Sequence, residues 1–303
     1  MQVRIFRGAV AVLATLLLFC SLSPAQAAPA ASHPTVVFMT DFGHVDDSVP
    51  ICKGVMLGLA PGLRIIDLTH DVTPFNILQA ARFLSGTTPY YAPGTTFVIV
   101  VDPTVGSTRR AIVAHSKRGQ WFIAPDNGVL TLVDNQDGID AAYEIQNPQW
   151  MIGSALSSTF HGRDIFSPAG AHVARGDDPS TAGPAIDLKT LVRLNIPKAT
   201  VSAQGISATV IDTDGPFGNL VTNISREDFA QLGYKVGQTV HFKLAGKPLQ
   251  LKFVKTFSDV PVGTPLFYID SRGRLGLAVN QGSFAKKFDL KVPATLEIER
   301  NRQ

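Results

Sequence analysis

Thr96-Phe97-Val98-Ile99-Val100-Val101-Asp102-Pro103 is the stretch that decides the fold. Its apolar residues, most of them β-branched, run on without the polar alternation of a half-buried strand. A run apolar on both faces predicts a central parallel strand covered by helices on each side. Residues 35–39 and 63–68 read the same way. Between these strands, 49–59 and 77–91 carry apolar residues at helical spacing, and Pro50 restricts the first helix to starting near its own position. Strand and helix in alternation predict an α/β domain over 34–180 with a mainly parallel central sheet.

The pattern changes at 176–184, where Gly, Asp, Pro, Ser and Thr gather without hydrophobic periodicity, and a linker is expected over 181–194. Beyond it, 239–244, 249–254 and 294–298 are short alternating strands parted by turn residues. They predict a smaller all-β domain over 195–303, a barrel or a sandwich.

The chain has 303 residues, 45% hydrophobic and 17% charged, the composition of a globular protein with a real core. Arg4 and Arg7 precede an uncharged apolar run over 9–22 and then Ala25-Gln26-Ala27, which predicts a cleavable signal peptide over 1–27 and export to the periplasm or beyond. The run, about 14 residues, is too short to span a bilayer, so no stable membrane anchor is expected. Loss of Arg4 and Arg7 from the 27 basic residues against 24 acidic ones leaves a net of +1 and no nucleic-acid footprint. Loss of Cys20 leaves Cys52 alone, read as a buried small apolar residue rather than half of a disulfide.

Chemistry-bearing residues gather after the strands. Thr40-Asp41-Phe42-Gly43 puts a carboxylate at a strand's carboxyl end, where open α/β sheets bind ligands. Asp41 can accept from vicinal hydroxyls, or can serve as a turn or cap residue. Asp46, Asp47 and Ser48 form an acidic loop that can hold a cation or cap the next helix. Asp102 ends the central strand, and Arg109 is close enough after a turn to pair with it. Ser158-Thr159-Phe160-His161-Gly162-Arg163-Asp164 offers His161 as a reactive group beside a residue small enough to leave room for water. Arg163 and Asp164 read as a structural ion pair. Asp214-Gly215-Pro216-Phe217-Gly218-Asn219 and Ser271-Arg272-Gly273 read as turns, although an arginine can clamp a carboxylate and an asparagine amide can pair with an adenine edge. The Walker, GxSxG, HExxH, CxxC and GxGxxG motifs are missing, so neither a cofactor nor a metal is expected.

In this order, these clusters, with Lys53-Gly54, Pro125-Asp126-Asn127-Gly128 and Thr222-Asn223-Ile224, resemble the S-adenosyl-L-methionine hydrolase family, the hydroxide adenosyltransferases related to fluorinase and chlorinase. The resemblance covers most of the chain beyond the leader. It implies an N-terminal α/β domain, a C-terminal barrel, and a homotrimer whose sites lie between the N-terminal part of one subunit and the C-terminal part of the next. It further implies that Asp102, Arg109 and His161 activate water, that Asp41 binds the ribose hydroxyls and that Phe75 packs on the sugar. Asn219 would read adenine, Asp46, Ser48, Asp214, Ser271 and Arg272 would hold the methionine moiety, and Phe160 and Gly162 would line the substrate pocket. The halogenating relatives lack an acid at the position of Asp102, and fluorinase has a serine at that of Gly162. The implied activity is hydrolysis to adenosine and L-methionine; halide transfer, or exported binding without turnover, are the alternatives. Thr104 departs from the family's usual glycine.

Overall fold

The computed structural model describes residues 34–153 and 155–301. The leader expected over 1–27 lies outside the described residues. The first part of the fold runs β1 (Thr35–Thr40), α1 (Ser48–Leu59), β2 (Arg64–Thr69), α2 (Ile77–Thr87), β3 (Thr96–Val100), β4 (Ala111–Ser116), β5 (Trp121–Pro125), α3 (Thr131–Asp137), β6 (Ile139–Glu144) and α4 (Ser167–Arg175). The sheet order is β2-β1-β3-β5-β4-β6. β1 is parallel to β2 and β3, β3 is parallel to β5, and β4 runs antiparallel to β5 and β6.

Both faces of the sheet are covered, which is why β3 is apolar throughout. Successive side chains point to opposite faces. Val36, Phe38, Val98 and Val100 pack with Cys52 and Met56 of α1 and Ala169 of α4, while Val37, Met39, Phe97 and Ile99 pack with Ala80 and Leu84 of α2 and Val133 of α3. Each buried Val, Leu, Ile, Phe or Met side chain among these contributes about 1.5–3 kcal/mol relative to exposure, more than the propensity of an ordinary residue. Pro50 sits in the first turn of α1, where a missing N–H costs nothing. The helix expected to reach 91 stops at Thr87 and tightens into a 3-10 turn, Thr88–Tyr90, containing Pro89.

α4 is preceded by a π-helical turn over Gly162–Phe166 that runs into it. Pro168 lacks the N–H that would reach the Asp164 carbonyl, and that carbonyl instead accepts from Ile152 N–H at 2.9 Å. The Ser167 N–H reaches back to the Gly162 carbonyl, closing the wider turn.

The second part comprises β7 (Thr200–Val201), β8 (Gly205–Asp214), β9 (Asn219–Ser225), α5 (Arg226–Ala230), β10 (Thr239–Leu244), β11 (Lys247–Phe253), β12 (Pro265–Ile269), β13 (Arg274–Val279), α6 (Phe284–Lys287) and β14 (Ala294–Glu299). The order β14-β10-β11-β12-β13-β9-β8 closes on itself because β14 also pairs with β8, so this is a barrel rather than a sandwich, with β7 as a flank. Along β10, Val240, Phe242 and Leu244 point inward while Thr239, His241 and Lys243 are exposed.

Residues 181–194 lie along β6, with Ile186 N–H donating to the Ala142 carbonyl and Glu144 N–H to the Pro184 carbonyl. The barrel is tied to α2 through Asp212 of β8, which accepts from Gln79 at 3.0 Å and forms an ion pair with Arg82, both charged side chains being almost fully buried. Among the described residues no helix is long and apolar enough to cross a membrane.

Candidate active site

The chain reverses its winding direction between β1 and β3, since β1 leads to β2 on one side and has β3 on the other. The crevice at such a switch point, beyond the carboxyl ends of the strands, is where open α/β sheets bind ligands. Thr40 pairs with Val100, so Asp41 and Asp102 leave the sheet side by side. Burial pushes the Asp41 carboxyl up, the Phe75 N–H bond opposes this, and the charge of Asp102 adds to the rise.

Asp102 is held from several directions. Its Oδ2 accepts from Arg109 Nε at 2.8 Å, and its Oδ1 lies 3.2 Å from the Thr104 hydroxyl. Asn127 Nδ2 donates to the Val101 carbonyl at 2.8 Å and so fixes the strand end that presents the carboxylate. The Asp102 side chain is 5% exposed and that of Arg109 is 8% exposed. The guanidinium also lies over the Phe166 ring, 5.1 Å from its centroid, and reaches His161 Nδ1 at 2.7 Å. Arg109 thus bridges the acid and the imidazole.

The π-helical turn brings His161 and Gly162 to this place. Asp164, buried at the centre of the turn, accepts from its neighbour Arg163 and from Ser157 N–H, which anchors the preceding loop. Burial opposes its ionisation, but Arg163 and that N–H hold its carboxyl below the usual range. The expected Arg163–Asp164 ion pair is present. A Cβ on Gly162 would lie 3.0 Å from the Phe42 ring and 3.4 Å from Val100, so the backbone there comes close to the ends of both β1 and β3. Phe160 meets Phe42 edge to face at 6.0 Å. Burial, then the positive charge of Arg109, hold the His161 pKa below its ordinary value.

Asp41 Oδ2 accepts from Phe75 N–H at 2.9 Å. Phe75 has φ of +68°, in the left-handed region that a bulky residue rarely occupies, and its ring is 71% exposed. The strained turn holds an aromatic face in the open beside the carboxylate.

Other expected residues lie apart from this cluster. Asp46 Oδ1 accepts from Ser48 N–H at 2.9 Å in the exposed turn that opens α1. Asp214 and Asn219 face each other across the β8–β9 turn, and Ser271 and Arg272 occupy the β12–β13 turn. The Arg272 guanidinium lies against Gly86 of α2, in a cleft of about 240 Å³ that Arg82, Ser271 and Arg274 also line. Burial raises the Asp214 carboxyl, against the pull of Arg82 and Arg272. Among the described residues, no hydrogen bond or ion pair joins this second group to Asp41, Asp102 or His161. The roles of Thr104, Asn127 and Ser157 were missed from the sequence, as each works through a neighbour's backbone or carboxylate.

A family model described as SAM hydroxide adenosyltransferase N-terminal domain matches residues 36–183, and one described as the C-terminal domain of the same matches 208–297. A protein named (R)-S-adenosyl-L-methionine hydrolase from Salinispora arenicola is 39% identical, over 84% of this chain and 94% of its own length. A protein named fluorinase from an Actinoplanes species is 34% identical, over 89% of this chain and 99% of its own length. Among solved structures, an uncharacterised conserved protein from Thermotoga maritima superposes with a TM-score of 0.82 at 35% identity, over 88% of this chain and all of its own.

Proposed function

Because the chain belongs to the SAM hydroxide adenosyltransferase family, we propose that it hydrolyses S-adenosyl-L-methionine to adenosine and L-methionine. The observation that carries this reading is the half-buried Asp102–Arg109–His161 constellation, set at the switch point beside Gly162. Water attacks the ribose 5' carbon as the carbon–sulfur bond breaks, and the bonding pair leaves with sulfur as a neutral thioether. The leaving group needs no proton, so only the nucleophile needs a base. A partly deprotonated water meeting a sulfonium neutralises charge, and a site shielded from solvent favours that step.

Asp102 is the proton acceptor in this reading. A guanidinium only donates, so His161 Nδ1 must accept from Arg109. With that nitrogen engaged, His161 orients Arg109, and Arg109 orients the carboxylate, which keeps lone pairs for a water. Asp41 takes the ribose diol, and the exposed Phe75 ring covers the sugar.

The rest of the substrate site comes from a second copy of the chain. Asn219 would read adenine, and Asp214, Ser271 and Arg272 would hold the amino acid, joined by Asp46 and Ser48 from the first copy. Phe75 at 71% and Phe217 at 69% exposure leave an uncovered aromatic at each half-site. A closed ring of such heterologous contacts gives the homotrimer. Export through the leader places the activity outside the inner membrane.

Halide transfer is the second reading, and the 34% identity to a fluorinase is what favours it. Product chromatography of the purified protein with S-adenosyl-L-methionine, with and without chloride or fluoride, tests the two. Adenosine at equal rates in both supports hydrolysis, and a halogenated nucleoside overturns it.

A further inference from the structure

A buried histidine outside the Asp102 cluster stands behind the strand end that carries the other carboxylate of the site. His70 is fully buried, its ring packed edge-on to Phe38 at 5.0 Å and to His44 at 5.5 Å. Its Nδ1 lies 2.9 Å from the hydroxyl of Thr40, the fully buried last residue of β1. Its Nε2 faces Asp67 Oδ1 at 3.1 Å, approached obliquely rather than along the N–H bond, and Asp67 Oδ2 in turn accepts from Lys53 Nζ at 2.7 Å. The Thr40 hydroxyl oxygen also accepts from Phe42 N–H at 3.2 Å, and the His70 carbonyl accepts from Gly43 N–H at 2.7 Å. Asp41 is therefore bracketed: the residue before it and both residues after it are fastened to His70 or to the hydroxyl that His70 holds.

One arrangement of protons serves the contacts at Thr40. Phe42 N–H donates to Thr40 Oγ1, the Thr40 hydroxyl donates to His70 Nδ1, and Nε2 carries the ring proton on the side of Asp67, whose far oxygen is paired with Lys53. Burial, the largest influence, keeps the His70 pKa below its ordinary value and so favours the neutral ring. The strand pairing is built around the group. Phe38 pairs with Asp67 but Met39 pairs with Thr69, so Leu68 is an extra residue in β2. Bulges of this kind re-aim side chains next to functional sites.

We infer that His70 is a positioning residue for Asp41: through the Thr40 hydroxyl it fixes the strand end from which that carboxylate meets the two hydroxyls of a ribose. The inference rests on the proposed function, which gives Asp41 the diol. Thr40→Val removes the hydroxyl at almost constant shape, Thr40→Ser keeps it, and His70→Leu removes the ring.

The test measures kcat and KM of the full chain and these variants for S-adenosyl-L-methionine and for its 2'-deoxyribose analogue. The wild type is expected to favour the ribose. Thr40→Val and His70→Leu should shrink that preference about tenfold, chiefly through KM, the scale of one well-aligned hydrogen bond, while Thr40→Ser retains it. A preference that survives in folded Thr40→Val overturns the inference even if His70→Leu fails to fold. A wild type that does not distinguish the two sugars overturns the assignment of the diol to Asp41, and the inference with it.

Discussion

Arg109 Nη2 stands 2.7 Å from His161 Nδ1, so the imidazole is an acceptor and the guanidinium is the link between histidine and acid. This order of groups, acid then arginine then histidine, differs from a triad in which histidine takes the proton.

The arrangement fixes the sign of a pH effect. Burial first, and Arg109 second, hold the His161 pKa below the ordinary 6.5. Activity should fall only when the pH drops through that lowered value, giving an acid limb below 6.5 in kcat/KM. In the unfolded chain the same ring takes a proton near its ordinary value, so the unfolded state binds more protons in the window between the two. The stability contribution is present above 6.5 and is lost as the pH falls through the folded value. Denaturation midpoints of wild type and His161→Asn across this range, with a nuclear magnetic resonance titration of the ring, check both statements.

Asp102→Asn keeps the shape and removes the base. A loss of roughly 10²–10⁴ in kcat with little change in substrate affinity is expected. His161→Asn, which can still accept from Arg109, should lose less. Stopped-time product assays and calorimetric binding read the two quantities, and equal losses for both variants would return the proton to His161.

Gly162 is the narrow point of the cluster, where an added Cβ would meet Phe42 at 3.0 Å. Gly162→Ala and Gly162→Ser should each lose about 1–3 kcal/mol from overpacking, read by thermal unfolding. The serine variant should lose more turnover than the alanine variant, because its hydroxyl stands where the nucleophile enters. Parallel losses would mean that packing alone is at work.

If each site is shared between two copies, inactive variants with lesions on different halves should complement. Asp102→Ala and Arg272→Ala, co-expressed in equal amounts, should regain about a quarter of wild-type activity, since half of each contributing surface is intact. A mixture as inactive as its parents, from chains that do assemble by ultracentrifugation, would place each site within one subunit.

The sequence made the strands of the crevice plain, because β1 and β3 must be apolar on both faces and β10 must alternate. Asp41 and Asp102 followed from their position at strand ends. What stayed hidden depends on separation in the chain or on neighbours' backbones. Nothing near Pro168 signals that its missing N–H widens the turn carrying His161. Arg82 and Asp212 are 130 residues apart, and neither lies in a motif. His70 reads as an isolated histidine until the sheet puts Thr40 beside it. Asp46 was read both as a cation ligand and as a capping residue, and it accepts from Ser48 N–H at the start of α1.

The central claim is that water, activated at Asp102, attacks the ribose carbon. The direct measurement incubates the purified protein with S-adenosyl-L-methionine in oxygen-18 water and follows the products by mass spectrometry. The label is expected in the 5' hydroxyl of adenosine, with methionine unlabelled. Tight binding without turnover, or a halogenated nucleoside in place of labelled adenosine, would contradict it.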